Sequence, residues 1–272
     1  MRKIKFCLMA LFCLMCFRLS AQTVNNYNYK TPLFKLSPEQ AENNGDYLRY
    51  AVLTGYRAGI TPKIGSSEDS LSKTHRFYMF NYSKIQLCLN AYSEFFIRPN
   101  QVILKVKDPA IYRNNLYCYE LITPGSMYHH TVEKKTENWD HWYQLMKDDV
   151  PARLGVTCER IDKYPQKCLV LIRTDGKDRM KTKGGESKVL LDGETKHFYN
   201  VPIGRILERM NAFPENPQVL DETQYKGKID LELPIKSWTD IEQVRIALNR
   251  YGLDLQEAVR ELKVFVITEN KK

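Results

Sequence analysis

Two stretches of this chain repeat one order of secondary-structure patterns, so any fold must accommodate the same plan twice. The first stretch runs from Arg76 to Arg173 and the second from His197 to Glu269. Each reads as strand, helix, strand, helix and then two strands, because the spacing of apolar residues changes between strand and helix periods in that order. The matched order predicts an internal repeat with extra residues in its first copy.

Short sequence matches at corresponding places support the repeat. Phe77–Tyr78 and Phe198–Tyr199 lie in the opening strand of each copy, and Asn90–Tyr92 and Asn211–Phe213 end the helix that follows. Ser83 is the expected N-cap of the first of these helices, since a serine side chain can accept a hydrogen bond from a free helical N–H.

The expected fold class is α+β, with two similar strand-helix-strand-helix-hairpin lobes whose helices pack on mixed or antiparallel sheets. The alternative is one continuous domain. The predicted boundaries are a signal peptide at 1–21, a lead-in segment at 22–75, a first lobe at 76–175, a polar linker at 176–196 and a second lobe at 197–272.

Each lobe is expected to close with a hairpin. In the first lobe, strands Gly155–Ile161 and Lys167–Arg173 flank a predicted turn at Asp162–Gln166, because the proline in that turn cannot donate to a central ladder. In the second lobe, Leu253–Glu257 is expected to lead into Lys263–Glu269.

The first 21 residues have the composition of an export signal. Three basic residues precede an apolar run, Phe6–Phe17, which has the length of a signal core and is too short to cross a bilayer. Cleavage is expected after Ala21, which predicts an exported, periplasmic chain without a transmembrane segment. The alternatives are a short membrane anchor and a lipoprotein attached at Cys16.

The charge of the chain does not favour nucleic acid as a partner. The formal net charge is +9, and the first 21 residues contribute four basic residues and no acidic one, which leaves +5 on the rest. No basic run or RNA-binding aromatic motif accompanies this mild excess. The 17 tyrosines suit an exported protein with wetted sheet faces or interfaces.

Four cysteines follow the signal, and none forms a C-x-x-C pair. Cys158 and Cys168 are equally distant from Lys163 at the centre of the predicted turn, so they are candidates for a disulfide across the hairpin in an oxidising compartment. The alternative is a pair of buried thiols, which pack as small apolar groups. Cys88 and Cys118 are expected in the core.

No catalytic motif is recognisable, so no catalytic residue and no cofactor is predicted. His129, His130 and His141 form the one histidine cluster of the sequence. Adjacent histidines in a loop point apart and rarely converge on one ion. A solvated loop is therefore preferred to a metal site.

Three aromatic residues lie close together on the predicted helix Asn138–Val150. Trp139, Trp142 and Tyr143 cannot all face one core, so at least one is a candidate for an exposed interface. The alternative is ordinary burial of large aromatic side chains.

The chain after the signal resembles a known family, most clearly in its last fifty or so residues. The segments that carry the resemblance are Asn90–Tyr92, Asp221–Leu231, Tyr251–Leu255 and Val264–Ile267. They resemble the exported bacterial family called domain of unknown function 3738, which occurs in soil bacteria and Bacteroidetes. That family has no established activity, and some members are joined to TlpA-type thioredoxin domains.

The turn motif of that family matches four residues here, Asp221, Thr223, Gly227 and Asp230. Gln224 stands where the family has its first turn glycine, so a backbone that differs from the family's turn is expected there. The resemblance implies export, a similar architecture and, through the fused domains, a thioredoxin-like partner.

These observations predict an exported, non-enzymatic envelope protein that binds another protein or an envelope component. One alternative is an accessory to periplasmic thiol-redox chemistry, which only the family resemblance suggests. A second alternative is an enzyme whose site is assembled from residues that do not form a sequence motif.

Overall fold

The computed structural model describes residues 50–69, 74–124 and 135–271. These residues form an α+β fold in which strands predominate, which confirms the predicted class. The strands are β1 (Tyr50–Gly55), β2 (Lys63–Asp69), β3 (Thr74–Ser83), β4 (Val102–Lys105), β5 (Leu116–Pro124), β6 (Val156–Arg173), β7 (Lys188–Leu190), β8 (Thr195–Pro202), β9 (Val219–Asp221), β10 (Lys228–Pro234) and β11 (Leu253–Glu269). The helices are α1 (Lys84–Ala91), α2 (Pro109–Asn114), α3 (Lys135–Leu154), α4 (Gly204–Met210) and α5 (Ile241–Asn249), with a 3-10 helix at Pro99–Gln101.

The described residues divide into two compact units. The first contains those between 50 and 92 and between 110 and 153, and the second contains 93–109 and 154–271. Residues 154–175, assigned to the first lobe by sequence, therefore lie in the second unit. The predicted signal peptide lies outside the described residues, whereas residues 50–69 of the predicted lead-in form strands of the first unit.

The first unit is built on an antiparallel sheet in the order β1-β5-β3-β2. Its helix α1 begins at the predicted N-cap, where Ser83 Oγ accepts from Gln86 N at 3.2 Å and Gln86 Oε1 accepts from Ser83 N at 2.9 Å. This reciprocal pair satisfies two backbone donors that a helix start leaves free. The helix buries Leu87, Cys88 and Ala91, whereas its apolar spacing predicts a face of Ile85, Leu89 and Tyr92, which are only half-buried.

The second unit contains two sheets. One is antiparallel, in the order β10-β8-β7, and the other is mixed, in the order β4-β11-β6-β9. The inner face of β8 and β10 carries Phe198, Leu231 and Leu233, which are fully buried in one core with Ile206 of α4 and Val244 of α5. Alternate residues of the same strands point to the opposite face.

The predicted polar linker at 176–196 belongs to the second unit. Met180 within it is 1% exposed, and β7 pairs with β8. Lys181 also forms an isolated antiparallel bridge to Ile229 on β10. Most lysines and glycines of this segment lie in exposed turns on either side of Met180, the Lys181 bridge and β7.

The two predicted hairpins are wrong. β6 is one strand of 18 residues and β11 is one strand of 17, and they pair antiparallel from Val156↔Glu269 to Arg173↔Leu253. The predicted turn at Asp162–Gln166 lies in the middle of β6. Pro165 is tolerated there because β9 extends β6 only at Leu169–Leu171, so the outer edge of β6 needs no N–H at the proline.

The antiparallel sheets of the two units share one register. The pairs Met79↔Tyr119 and Tyr82↔Tyr117 of β3 and β5 flank a β-bulge. The pairs Phe198↔Leu231 and Val201↔Ile229 of β8 and β10 flank a bulge at the same place. Strands β2, β3 and β5 thus correspond residue by residue to β7, β8 and β10.

An asparagine with a positive φ lies in each bulge, Asn81 at 54° and Asn200 at 52°. Asparagine tolerates this left-handed conformation better than most residues. Asn81 Nδ2 donates to the carbonyls of Arg57 and Ile60 at 2.8 and 2.7 Å. Asn200 Nδ2 donates to the carbonyl of Gly185. Each asparagine therefore fixes the loop that precedes the edge strand of its own sheet.

Candidate binding surfaces

Two adjacent phenylalanines protrude from the segment 93–98, here named the aromatic loop. Phe96 is 94% exposed and Phe95 is 54% exposed, and Phe96 is the most exposed large apolar side chain among the described residues. Single exposed apolar residues are ordinary, but two adjacent exposed aromatic rings form a patch of the kind used for binding.

A buried carboxylate anchors the start of the aromatic loop. Glu94 is 8% exposed, and its two oxygens pair with Arg160 Nη1 at 3.2 Å and Lys263 Nζ at 3.4 Å. The backbone N–H of Ile97 also donates to the Glu94 carbonyl at 3.3 Å. Because Arg160 is on β6 and Lys263 is on β11, Glu94 attaches the loop to both long strands.

A second buried polar contact anchors the end of the aromatic loop. Asn100 Nδ2 donates to Asn211 Oδ1 at 2.8 Å and to the Pro217 carbonyl at 3.2 Å. Asn211 in turn exchanges hydrogen bonds with the backbone of Val219 in β9, at 2.8 and 2.9 Å. The loop is therefore fixed at both ends, and a partner would not have to order it on binding.

The interface predicted on α3 is only partly described. Trp142 is 3% exposed and packs against Phe77 with ring centroids 6.0 Å apart, so it is a core residue and the interface prediction is wrong for it. Tyr143 is half-buried. The side chain of Trp139 lies outside the described part of the structure. Helical spacing could not point to the aromatic loop, because Phe95 and Phe96 lie in no helix or strand.

The predicted disulfide does not form. Cys158 and Cys168 are ten residues apart on the continuous strand β6, which separates them by about 33 Å at 3.3 Å per residue. They lie opposite Ile267 and Ala258 of β11, and both are free thiols. The disulfide prediction depended on the hairpin, and it is wrong for the same reason.

The buried thiols are poorly suited to redox exchange. Cys88, Cys118 and Cys168 are buried, as expected for the first two. Burial raises the pKa of the Cys118 and Cys168 thiols, which disfavours the reactive thiolate. Cys158 is half-buried.

The histidine cluster falls mostly beyond the described residues. His129 and His130 lie outside them, as does the side chain of His141. Within the part of the chain that is described, no three histidine, cysteine or acidic side chains converge as a metal site would require.

The first half of the family-like turn motif holds a turn after β9. Asp221 Oδ1 accepts from the backbone N–H of Thr223 at 2.9 Å and from its hydroxyl at 2.6 Å, and Thr223 Oγ1 accepts from Tyr225 N at 3.1 Å. Gln224 has a φ of 57°, the left-handed conformation that glycine would adopt without strain. The substitution therefore occupies a glycine-type backbone position.

The second half of the motif binds a neighbouring loop. Asp230 Oδ2 accepts from Lys183 N at 2.8 Å and its Oδ1 accepts from Asn200 N at 2.7 Å. The hydrogen bond from the Lys183 backbone is the main cause that lowers the pKa of Asp230, and the Asn200 backbone adds to it. A side chain added at Gly227 would approach the Tyr225 ring to 3.0 Å. These residues therefore shape loops.

A polar and aromatic cluster lies on the outer face of the β10-β8-β7 sheet. The rings of His197 and Tyr199 stack with centroids 5.7 Å apart. The Tyr199 hydroxyl lies 2.9 Å from both His197 Nδ1 and Glu232 Oε1, and it donates to the carboxylate. That hydrogen bond raises the pKa of Tyr199. The Glu232 side chain remains 57% exposed, so this face is open to solvent.

Comparisons with protein-family models, with curated proteins and with solved structures find no match to this chain. None of the helices in the described residues combines the length and apolar character needed to cross a membrane.

Proposed function

We propose that this chain is an exported envelope protein that works as a binding module, and that the aromatic loop is its binding surface. The observation that carries the proposal is the pairing of two exposed phenylalanines with buried anchors on both sides. Aromatic side chains that bury a large area at low entropic cost dominate the energy of protein interfaces. The partner is a protein or another component of the envelope.

The anchors distinguish this loop from an accidentally exposed segment. Arg160 and Lys263 offset the cost of removing the Glu94 carboxylate from water. The Asn100 side-chain amide donates two hydrogen bonds within the second unit rather than to solvent. A rigid loop loses little conformational entropy when it binds, so more of the contact energy appears as affinity.

Export is proposed from the signal-like composition of residues 1–21. Expression of the full chain in a bacterium with two membranes, followed by fractionation, should place it in the periplasm. Sequencing of the purified amino terminus should start at Gln22. A cytoplasmic chain that retains Met1 or Arg2 would contradict export.

We infer that the fold is a duplication of one unit. The last strand of the first copy, β6, pairs with the last strand of the second copy, β11. The short strand of each copy also pairs with the long strand of the other, β4 parallel to β11 and β9 parallel to β6. Gln101, just before β4, donates to the Lys263 carbonyl at 3.4 Å, and Gln218, just before β9, donates to Gln166 at 3.4 Å. In both copies the glutamine just before the short strand thus donates to the long strand of the other copy, to a backbone carbonyl in one case and to a side-chain oxygen in the other.

A retention assay tests the binding surface. Purified chain is mixed with washed envelope fragments, and the bound fraction is measured after sedimentation. The double variant Phe95→Ser/Phe96→Ser should lose at least about tenfold in affinity, because truncation of a central aromatic commonly removes 2 kcal/mol or more. The matched control is Ile246→Ser on α5, whose side chain is 55% exposed.

Two results would overturn the proposed surface. Equal retention of the native chain and the double variant would show that the aromatic loop is not involved. Equal loss in Ile246→Ser would show that retention reflects general surface apolarity. A second variant, Glu94→Gln, keeps both phenylalanines and loosens the anchor, so it should weaken retention less than the double variant does.

A further inference from the structure

One face of each antiparallel sheet carries two stacked rings beside a glutamate. In the first unit an arginine side chain completes this group, and in the second unit no arginine of residues 93–109 or 154–271 does. In the first unit, the β3 residues Arg76, Tyr78 and Phe80 lie on one face with Glu120 of β5. The shared register places Thr195, His197, Tyr199 and Glu232 at the corresponding positions of the second unit.

In the first unit this arrangement contains a guanidinium. The Tyr78 and Phe80 rings stack at 4.8 Å, and the Arg76 guanidinium lies 4.5 Å from the Tyr78 centroid and 5.5 Å from that of Phe80. Arg76 Nε donates to Glu120 Oε1 at 2.8 Å, and Nη2 donates to the same oxygen. The cation is thus held by stacked rings and a carboxylate together, and it is 4% exposed.

In the second unit the rings and the carboxylate are present and the guanidinium is not. His197 and Tyr199 stack as Tyr78 and Phe80 do, and Glu232 corresponds to Glu120. Thr195 corresponds to Arg76 and is too short to reach Glu232. Among the described residues no lysine or arginine pairs with Glu232, whose one ion-pair neighbour is His197 Nδ1 at 3.5 Å.

The neighbouring strand differs at one place, because Leu190 lies opposite His197 where the first unit has Gly65 opposite Tyr78, and Leu190 is 41% exposed. Lys188 lies opposite Tyr199 across the sheet and makes no ion pair with Glu232. Lys63 occupies the corresponding place opposite Phe80, so a lysine there is compatible with a bound guanidinium. Tyr251 contacts Glu232 only at its backbone.

We propose that the outer face of the β10-β8-β7 sheet binds an arginine side chain of a partner polypeptide, which takes the place that Arg76 occupies in the first unit. The guanidinium stacks on the Tyr199 and His197 rings and donates to Glu232. An arginine is favoured over a lysine because its planar fork can stack and donate at the same time. This surface is independent of the aromatic loop, and it does not rest on the proposed function.

Nuclear magnetic resonance titration of the purified chain tests the proposal directly. The ligand is the capped pentapeptide Gly-Gly-Arg-Gly-Gly, and its control contains citrulline, which has the same shape without the charge. The arginine peptide should shift the ring signals of His197 and Tyr199 with a dissociation constant in the millimolar range, since one exposed cation–π contact and one charge-assisted pair are each modest. The citrulline peptide should bind at least about tenfold more weakly.

Three variants sharpen the test. Glu232→Gln should weaken arginine binding by about tenfold, whereas Glu257→Gln, an exposed glutamate on β11, should leave it unchanged. Thr195→Arg supplies the missing guanidinium from the chain itself. It should abolish peptide binding while the midpoint of thermal unfolding stays equal or rises.

Each contrary outcome overturns the proposal. Equal shifts with the arginine and citrulline peptides would mean that no cation is recognised. Undiminished binding by Thr195→Arg, with a native melting temperature, would place the ligand elsewhere. If capped arginine amide binds and the pentapeptide does not, the site takes a small guanidinium compound and the polypeptide partner is ruled out.

Discussion

The Tyr251 hydroxyl hydrogen-bonds both backbone polar groups of Glu232, accepting from its N–H at 2.9 Å and donating to its carbonyl at 3.3 Å. Glu232 lies on β10, which has a neighbouring strand on one side only. The corresponding position on β5, Glu120, is paired with Val52 of β1. Residues 180–182 pair with the start of this edge, and Tyr251 supplies at Glu232 the backbone contacts that β1 supplies at Glu120 in the first unit. An unpaired edge would otherwise be open to unwanted pairing.

Replacing Tyr251 by Phe should uncover that edge. The variant keeps the ring and loses both hydrogen bonds, so its free energy of unfolding should fall by about 1 kcal/mol in urea titration. Tyr56→Phe, at a tyrosine that is 60% exposed, is the control and should be neutral. An unchanged urea midpoint for Tyr251→Phe would mean that water satisfies the edge equally well.

The two asparagine bulges should contribute similarly to stability. Asn81→Ala and Asn200→Ala each lose the side-chain bonds to a loop and force alanine into a positive φ, which should lower the free energy of unfolding by about 1 to 3 kcal/mol. Glycine at either position removes the backbone strain, so Asn200→Gly should be less destabilising than Asn200→Ala. A neutral effect at one bulge and a large effect at the other would contradict their equivalence.

The Asp230 carboxylate should make stability depend on pH. Because its pKa is lower in the folded chain than in the unfolded chain, it stabilises the fold fully above the unfolded value of about 3.9. That contribution is lost as the pH falls from about 4 towards the folded pKa. The stability difference between the native chain and Asp230→Asn should therefore be largest at pH 7 and smaller at pH 3. Urea titrations at both pH values measure it, with Asp192→Asn as an exposed control; a constant difference would contradict the role of Asp230.

The thiols should differ in reactivity towards Ellman's reagent. Among the four cysteines after residue 21, the half-buried Cys158 should react in the folded chain, and the buried Cys88, Cys118 and Cys168 should react only after unfolding. Mass spectrometry without reductant should find Cys158 and Cys168 unlinked. A disulfide between them would require β6 to fold back on itself and would contradict the long antiparallel pair.

Local patterns predicted many elements correctly because the signals that specify them are close in sequence. The helix after Ser83 begins where its capping box begins, because the residues of that box are three positions apart. The strand containing Phe198 and the α+β class follow from the same kind of evidence. The four positions of the turn motif were identified by resemblance, and their hydrogen bonds explain why those residue types suit a turn.

Local sequence patterns could not predict which strand pairs with β6. A short loop costs less entropy to close than a long one, so sequence alone favours a local hairpin around Asp162–Gln166. The structure instead pairs Cys168 with Ala258, about ninety positions away. This long-range pairing is accompanied by contacts with other distant segments, including β4 and β9 at the two edges of the mixed sheet.

Sequence patterns were sufficient for the α+β class, for many of the helices and strands and for the cap of the first helix, because these properties depend on neighbours within a few positions. Contacts between distant segments decide that β6 and β11 pair along their whole length, that Phe95 and Phe96 are exposed, and that Glu232 lies open while Glu120 is buried. Those outcomes depend on contacts between residues roughly fifty to a hundred positions or more apart, such as Glu94 with Arg160 and Asn100 with Asn211. No local pattern records such contacts, so the surfaces proposed for binding became visible only in the folded chain.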